Sequence, residues 1–213
     1  MTVTFPRNDI LTTYRLAPEG YKFQPMYRQE LSRQANGVTI IKDFGTSLWT
    51  MAATSVPLFH ADALDFEAML SSMDNGIGTF HGFDARRRYP RSKPDGNFAD
   101  TSEISTVGGN GKSLALSGLP TGMVLSRGDY LAFNVAGWRS LHQVMETVTA
   151  SGAGVSPLFE VRPHLFPGTM VSLDVTLKRP ATVMMLVPGS VVPQQFDALK
   201  TVISFQAFQC PIS

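Results

Sequence analysis

The residues best suited by type to hold a metal or move a proton are His60, His81, His142 and His164, and they lie far apart along the chain. No HExxH spacing occurs and no two histidines stand one helical turn apart, so a metal site would have to be assembled wholly by the fold. Each reads as a surface or strand histidine. Gly111-Lys112-Ser113 invites a phosphate loop, but Thr106 stands where that pattern needs its first glycine, and Leu114-Ala115-Leu116 reads as strand where a helix is required. A flexible turn is the expectation there. Cys210 is the one cysteine, no base is near it in sequence, and there is no GxSxG elbow, so nucleophilic catalysis lacks its usual marks. A pair of acids for glycoside hydrolysis could be drawn from Asp95, Asp100, Glu103, Glu146 and Glu160, though no spacing singles out a pair. No residue is assigned a catalytic, cofactor-binding or metal role, no cofactor is expected, and the chain is not expected to be an enzyme.

Arg86-Arg87-Arg88, followed by Arg91 and Lys93, is the one basic cluster. Successive strand residues face opposite ways, so three arginines in a row cannot share a face. The expectation is a solvated loop whose aliphatic stems cover apolar surface, ahead of a nucleic-acid patch. A net charge of +1 argues the same way, because phosphate binding needs a basic footprint. Trp49 reads as a core residue of its strand. Trp138, between Gly137 and Arg139 at a turn, is the candidate exposed aromatic, for a sugar or a partner subunit, with Tyr130 as a second stacking face.

The elements that must position these groups are nearly all strands. Residues 1–20 hold Pro6, Pro18 and Gly20 and show little periodicity, which predicts an extended arm, with a neighbour as one place for it to lie, or an irregular opening. Tyr21 to Tyr27 alternates apolar with polar residues, and Pro25 limits that strand to a sheet edge. Val38 to Phe44 is β-branched and Leu48 to Thr54 reads as its hairpin partner across Gly45-Thr46-Ser47. From Asp62 to Met73 the period changes: Ala63, Phe66, Met69, Leu70 and Met73 fall on one helical face, with acids near the amino end. A strand follows over Gly78 to Asp84, and residues 90–105 read as a loop.

Short apolar runs at Leu114, Tyr130 to Val135, Ser140 to Val148 and Leu158 to Arg162 are separated by turn signals at even intervals, which predicts a small closed or nearly closed barrel over 106–166. After Gly168, strands are expected at Val171 to Val175, Ala181 to Val187 and Thr201 to Phe208. The fold class is therefore mainly β. A discontinuous domain, 1–105 and 167–213, carries one packed helix and an inserted barrel, 106–166.

With 213 residues the chain can bury a core without a staple. Its charged fraction of 16% is low against about 25% for ordinary soluble domains. Together with 14 Phe and 10 Met this predicts surface covered in an oligomer, or else a polar Ser/Thr/Gln surface. The amino end shows no signal-peptide pattern and no apolar run is long enough to span a bilayer, so synthesis inside a cell is expected.

Gly45-Thr46-Ser47-Leu48-Trp49-Thr50 followed by a helix, then Phe83 to Pro90, then Leu125 to Tyr130 and Leu141 to Val144, resembles the distal tail proteins of siphophages, the long non-contractile-tailed bacteriophages, and of gene transfer agents. The resemblance runs in order over most of the chain. It implies a β-sandwich-like domain built from both chain ends and an outward barrel similar to an oligonucleotide/oligosaccharide-binding fold. It also implies a hexameric ring at the virion tail tip, joining tail tube protein to the hub, tape-measure and receptor-binding apparatus, with host surface glycans as a further candidate contact of the barrel. In that ring Val38 to Thr54 and Thr201 to Phe208 would form the sheet and residues 1–20 would bridge subunits. Two other readings stay open: a monomeric carbohydrate-binding module using Trp138 and Tyr130, and an enzyme with an acid pair in a deep pocket.

Overall fold

A computed structural model describes residues 3–210, so the ends of the two expected outer segments, Met1-Thr2 and Pro211 to Ser213, lie outside the described residues. From residue 3 to 20 the chain forms no regular element but lies against its own sheet. The Arg7 backbone donates to Thr79 O at 2.8 Å and accepts from His81 N at 2.9 Å, while Ile10 and Leu11 are buried in the main core. Burying side chains of that size stabilises by about 1.5–3 kcal/mol each. The described part of this segment is therefore the irregular opening rather than an extended arm, and it is anchored on its own sheet.

Strands β1 (Lys22–Met26), β2 (Gln29–Arg33), β3 (Thr39–Asp43) and β4 (Leu48–Thr54) make one long antiparallel ribbon. At its base Lys22 to Met26 register against Ala52 to Leu48; beyond a break at Gly45, whose φ of +117° few other residues adopt, Gln29 to Arg33 register against Asp43 to Thr39. The expected pairing of residues 38–44 with 48–54 is thus corrected. The two segments follow one another along the same side of the ribbon, and the partner of β3 is β2, whose Gln-Glu-Leu-Ser-Arg sequence has no strand-like alternation. The base is built into the sheet, with Trp49, Met51 and Ala53 in the core. The outer half is exposed at every strand position.

A short β5 (Leu58–Phe59) leads into α1 (His60–Ser71), which buries Ala63, Phe66 and Leu70, with Met73 just beyond its end, at the expected helical spacing. Phe66 meets Phe205 edge-on at 6.1 Å. Strand β6 (Thr79–Gly82) then runs along the sheet.

The barrel comprises β7 (Ser102–Val107), β8 (Ser113–Ser117), β10 (Tyr130–Val135), β11 (Trp138–Val144), β13 (Phe159–Arg162) and β14 (Asp174–Thr176). A separate pair, β9 (Val124–Leu125) with β12 (Val148–Thr149), lies beside it. The order β10-β11-β13-β8-β7-β14 closes when β14 pairs back onto β10. Closure draws on more chain than 106–166. The segment 102–105, expected in a loop, begins β7, and Asp174 to Thr176, expected in the outer domain, forms β14 between β7 and β10. A barrel leaves no edge unpaired, so its last two strands had to come from the flanks. Between β10 and β11, Ala136 at φ 48° and Gly137 at φ 81° give the two-residue turn that matches strand twist.

The chain returns through β15 (Thr182–Leu186), β16 (Val192–Gln195) and β17 (Lys200–Gln209). The main sheet runs β1-β4-β17-β15-β6, with β5 and β16 also on β17, and places Pro25 on the edge strand as expected. Strand β17 alternates along its length, with Thr201, Ile203, Phe205, Ala207 and Gln209 buried. The architecture is mainly β, with one packed helix and an inserted closed barrel.

The sheet and the barrel share a wall. Leu131, Phe133 and Val135 of β10 face the barrel core, whereas Tyr130 and Ala132 of the same strand belong to the sheet core, joined by Leu141 of β11. The run Tyr-Leu-Ala-Phe-Asn-Val is nearly continuous in apolar residues because both of its faces are buried.

Candidate functional site

Three clusters of side chains stand out once the fold is in place: the wall between sheet and barrel, the outer half of the ribbon, and the arginine loop. At the wall, Trp49 stacks on Phe23 at 4.9 Å, meets Tyr130 edge-on at 5.6 Å, and donates from Nε1 to the Leu141 carbonyl at 2.7 Å. Tyr130 donates to Asp84 Oδ2 at 3.1 Å and accepts from Gln143 Nε2 at 3.2 Å. Burial, followed by the Asp84 carboxylate, pushes the Tyr130 phenol up, so it stays protonated and able to donate.

This placement corrects the expectation that Tyr130 offers a stacking face. Only 5% of it is exposed, because β10 is buried on both sides. Trp138 is half-buried at the start of β11, with its ring tilted against Phe166 at 5.0 Å. Of the two candidate stacking residues, Trp138 alone keeps exposed surface.

The arginine loop does more than cover apolar surface. Arg86 grips Asp84 through Nε and Nη2, both at 2.9 Å, and this carboxylate raises the guanidinium pKa. Arg87 Nη1 reaches Asp129 Oδ1 at 2.6 Å. Asp129 is fully buried and also accepts from Arg91 N at 3.0 Å and Ser126 N at 2.7 Å, so one barrel carboxylate pins the loop that leaves the sheet. Arg88 lies over the Phe83 ring at 5.7 Å. The expectation of a solvated loop holds for Arg86, whose side chain is 61% exposed, and is corrected for Arg87, which reaches a buried carboxylate of the barrel.

The remaining candidates are dispersed. Glu160 pairs with Arg162 at 2.8 Å, Asp100 accepts from Leu177 N and Lys178 N, and Asp95 accepts from Asn97 N. Glu103 lies on β7 opposite Asp174, and Glu146 is exposed after β11. Gly111-Lys112-Ser113 closes a turn, with Gly108 N donating to Ser113 O at 2.8 Å and Asn110 Oδ1 accepting from Lys112 N. Among the described residues no group of three His, Cys, Asp or Glu side chains converges as a metal would need. His142 is fully buried, stacked on Phe133 at 5.1 Å, with Nδ1 at 2.8 Å from Pro163 O and Nε2 at 2.5 Å from Ser140 Oγ. A carbonyl only accepts, so the neutral ring carries its proton on Nδ1 and accepts from Ser140 at Nε2.

The β3 half of the outer ribbon is a segment that the sequence assigns to the main sheet. Leu31 sits opposite Ile41, and they are 56% and 60% exposed; Val38, Ile40 and Phe44 are exposed as well. The absence of apolar alternation in β2 is the one signal that could have shown that β3 has no core beneath it.

The class these features define is a mainly β protein with a split sheet, a fused closed barrel and a protruding apolar ribbon. No protein-family model matches the chain, and no curated protein matches it. Among the described residues no helix is long and apolar enough to cross a membrane.

Proposed function

We propose that this chain is a structural protein of a phage tail tip, of the distal tail kind, and that six copies close into a ring joining the tail tube to the tip and receptor-binding apparatus. The observation that carries the reading is the outer ribbon of β2 and β3. Five residues per strand reach about 17 Å from the sheet, and an isolated two-stranded hairpin is marginally stable at best in water. Leu31, Ile40 and Ile41 on that ribbon need a covering surface, and a neighbouring subunit of a closed ring supplies one. The low charged fraction fits interfaces of this kind.

In this reading the sheet and ribbon contact neighbours, while the barrel faces outward. The partners are further copies of the chain, the tail tube protein and the hub and tape-measure proteins, with host glycans as a possible outer contact. The place of action is the virion tail tip, after synthesis in the host cytoplasm.

Light scattering after size exclusion, over a concentration series and with tail tube protein added, tests this, together with negative-stain images. A hexameric or dodecameric ring with an axial hole supports the proposal. A monomer at every concentration with and without tube protein, whose glycan affinity disappears in Trp138→Ala, replaces it with the sugar-binding reading.

A further inference from the structure

A cavity of about 420 Å³ opens where the sheet meets the barrel, between β6, β11 and the connection from β14 to β15. His81, Arg139, Lys178 and Arg179 line it, and none of its described lining residues is acidic. Arg139 is half-buried and makes no ion pair among the described residues. Its three acceptors are neutral: Ala181 O at 3.3 Å, Thr176 Oγ1 at 3.0 Å and Asn134 Oδ1 at 3.4 Å. The carboxylate within electrostatic reach, Asp100, has both oxygens engaged by Leu177 N and Lys178 N, and so holds the connection in shape without pairing with the guanidinium. A guanidinium removed from water without a counter-ion is costly unless an anion compensates it.

The connection is also held in an unusual backbone state. Arg179 has φ 49°, a left-handed conformation that is unfavourable for a non-glycine residue, and its N–H donates to Arg88 O at 2.8 Å. Lys178 and Arg179 both line the cavity, with Lys178 Nζ over the Phe98 ring at 4.9 Å and Arg179 Nε donating to Tyr89 Oη at 3.2 Å, so their cations meet an anion by turning off these aromatic partners. Strain of this kind persists where surrounding contacts over-determine it, and such positions cluster at binding sites. We propose that this cavity binds a tetrahedral oxyanion, the phosphate or sulfate group of a small ligand, with Arg139 at the wall between sheet and barrel and Lys178 and Arg179 from the connection. The planar fork of Arg139 suits bidentate contact with such a group, and Thr176, whose hydroxyl oxygen accepts from Arg139 Nη2, keeps its own O–H to donate.

Isothermal titration of the full chain with inorganic phosphate and with inorganic sulfate, each against sodium chloride at equal ionic strength, tests the site. Saturable binding is expected, weakened about tenfold or more in Lys178→Gln/Arg179→Gln, since each lost charged contact is worth roughly that factor. Arg139→Gln is expected to abolish it, but the guanidinium also ties Thr176 to Ala181, so the double variant on the connection is the primary test. Lys22→Gln/Lys93→Gln removes the same net charge away from the cavity and is expected to bind normally. The tighter of the two anions identifies the preferred source. Equal affinities in all four proteins, or heats no larger than those with chloride, overturn the proposal.

Discussion

Arg87 and Asp129, forty-two positions apart, meet at 2.6 Å with the carboxylate fully buried, so the loop leaving the sheet is locked to the hairpin start of the barrel by one charge pair. Two backbone N–H groups complete the coordination of that carboxylate. Arg87→Ala leaves the charge in place without its cation. Removing one partner of a fully buried pair costs about 3–5 kcal/mol; Arg87 is about a third exposed and the two N–H groups remain, so about 2–3 kcal/mol is expected here. Urea unfolding followed by near-UV circular dichroism measures it, and a loss below 0.5 kcal/mol would show that the N–H groups suffice.

Trp49→Phe keeps the ring stack on Phe23 but deletes the Nε1–H donor to Leu141 O, leaving a buried carbonyl unsatisfied. The expected loss is about 1–3 kcal/mol. Thermal unfolding gives the value, and an unchanged midpoint would remove this hydrogen bond from the account of how the barrel is held.

Acid should weaken the fold through His142. Burial pushes its pKa down to about 4 from an ordinary 6.5, so between these values the unfolded chain binds the proton and the folded one does not. The neutral ring's contribution is therefore complete above pH 6.5 and is lost as pH falls toward 4, amounting to about 3 kcal/mol over the window. Unfolding free energies at pH 7 and 4.5 for the parent and for His142→Gln provide the check. The variant should lose much less stability between the two pH values, and parallel slopes would refute the assignment.

On the ring proposal, the ribbon serves assembly and not folding, and the two can be read apart. Leu31→Glu/Ile41→Glu alters a pair that is more than half exposed, so unfolding should shift by no more than about 0.5 kcal/mol while ring formation is lost. Scattering mass and urea midpoint are read on the same samples. A variant that still closes rings would place the subunit contact elsewhere.

Alternation made β4 and β17 legible, since one face of each is core and the other is not. The helical stripe of Ala63, Phe66 and Leu70 was readable for the same reason. Strand β2 was not, because a strand with no core beneath it carries no pattern of burial, and β3 was paired with the wrong neighbour as a result. Tyr130 was misjudged for the opposite cause: a strand buried on both faces resembles any short apolar run, and only the second core behind it shows where the phenol points. Arg87 with Asp129, and His81 with Arg139, are encounters made by topology, for which local sequence holds no signal.

Because β10 belongs to two cores, the inserted barrel is not a cassette. Excising residues 102–176 and joining the flanks would strip Tyr130, Ala132 and Leu141 from the sheet and expose Trp49 and Phe23 to solvent. The molecule should accordingly melt in a single cooperative step, and a load applied to the barrel would reach the sheet through a shared wall instead of a hinge.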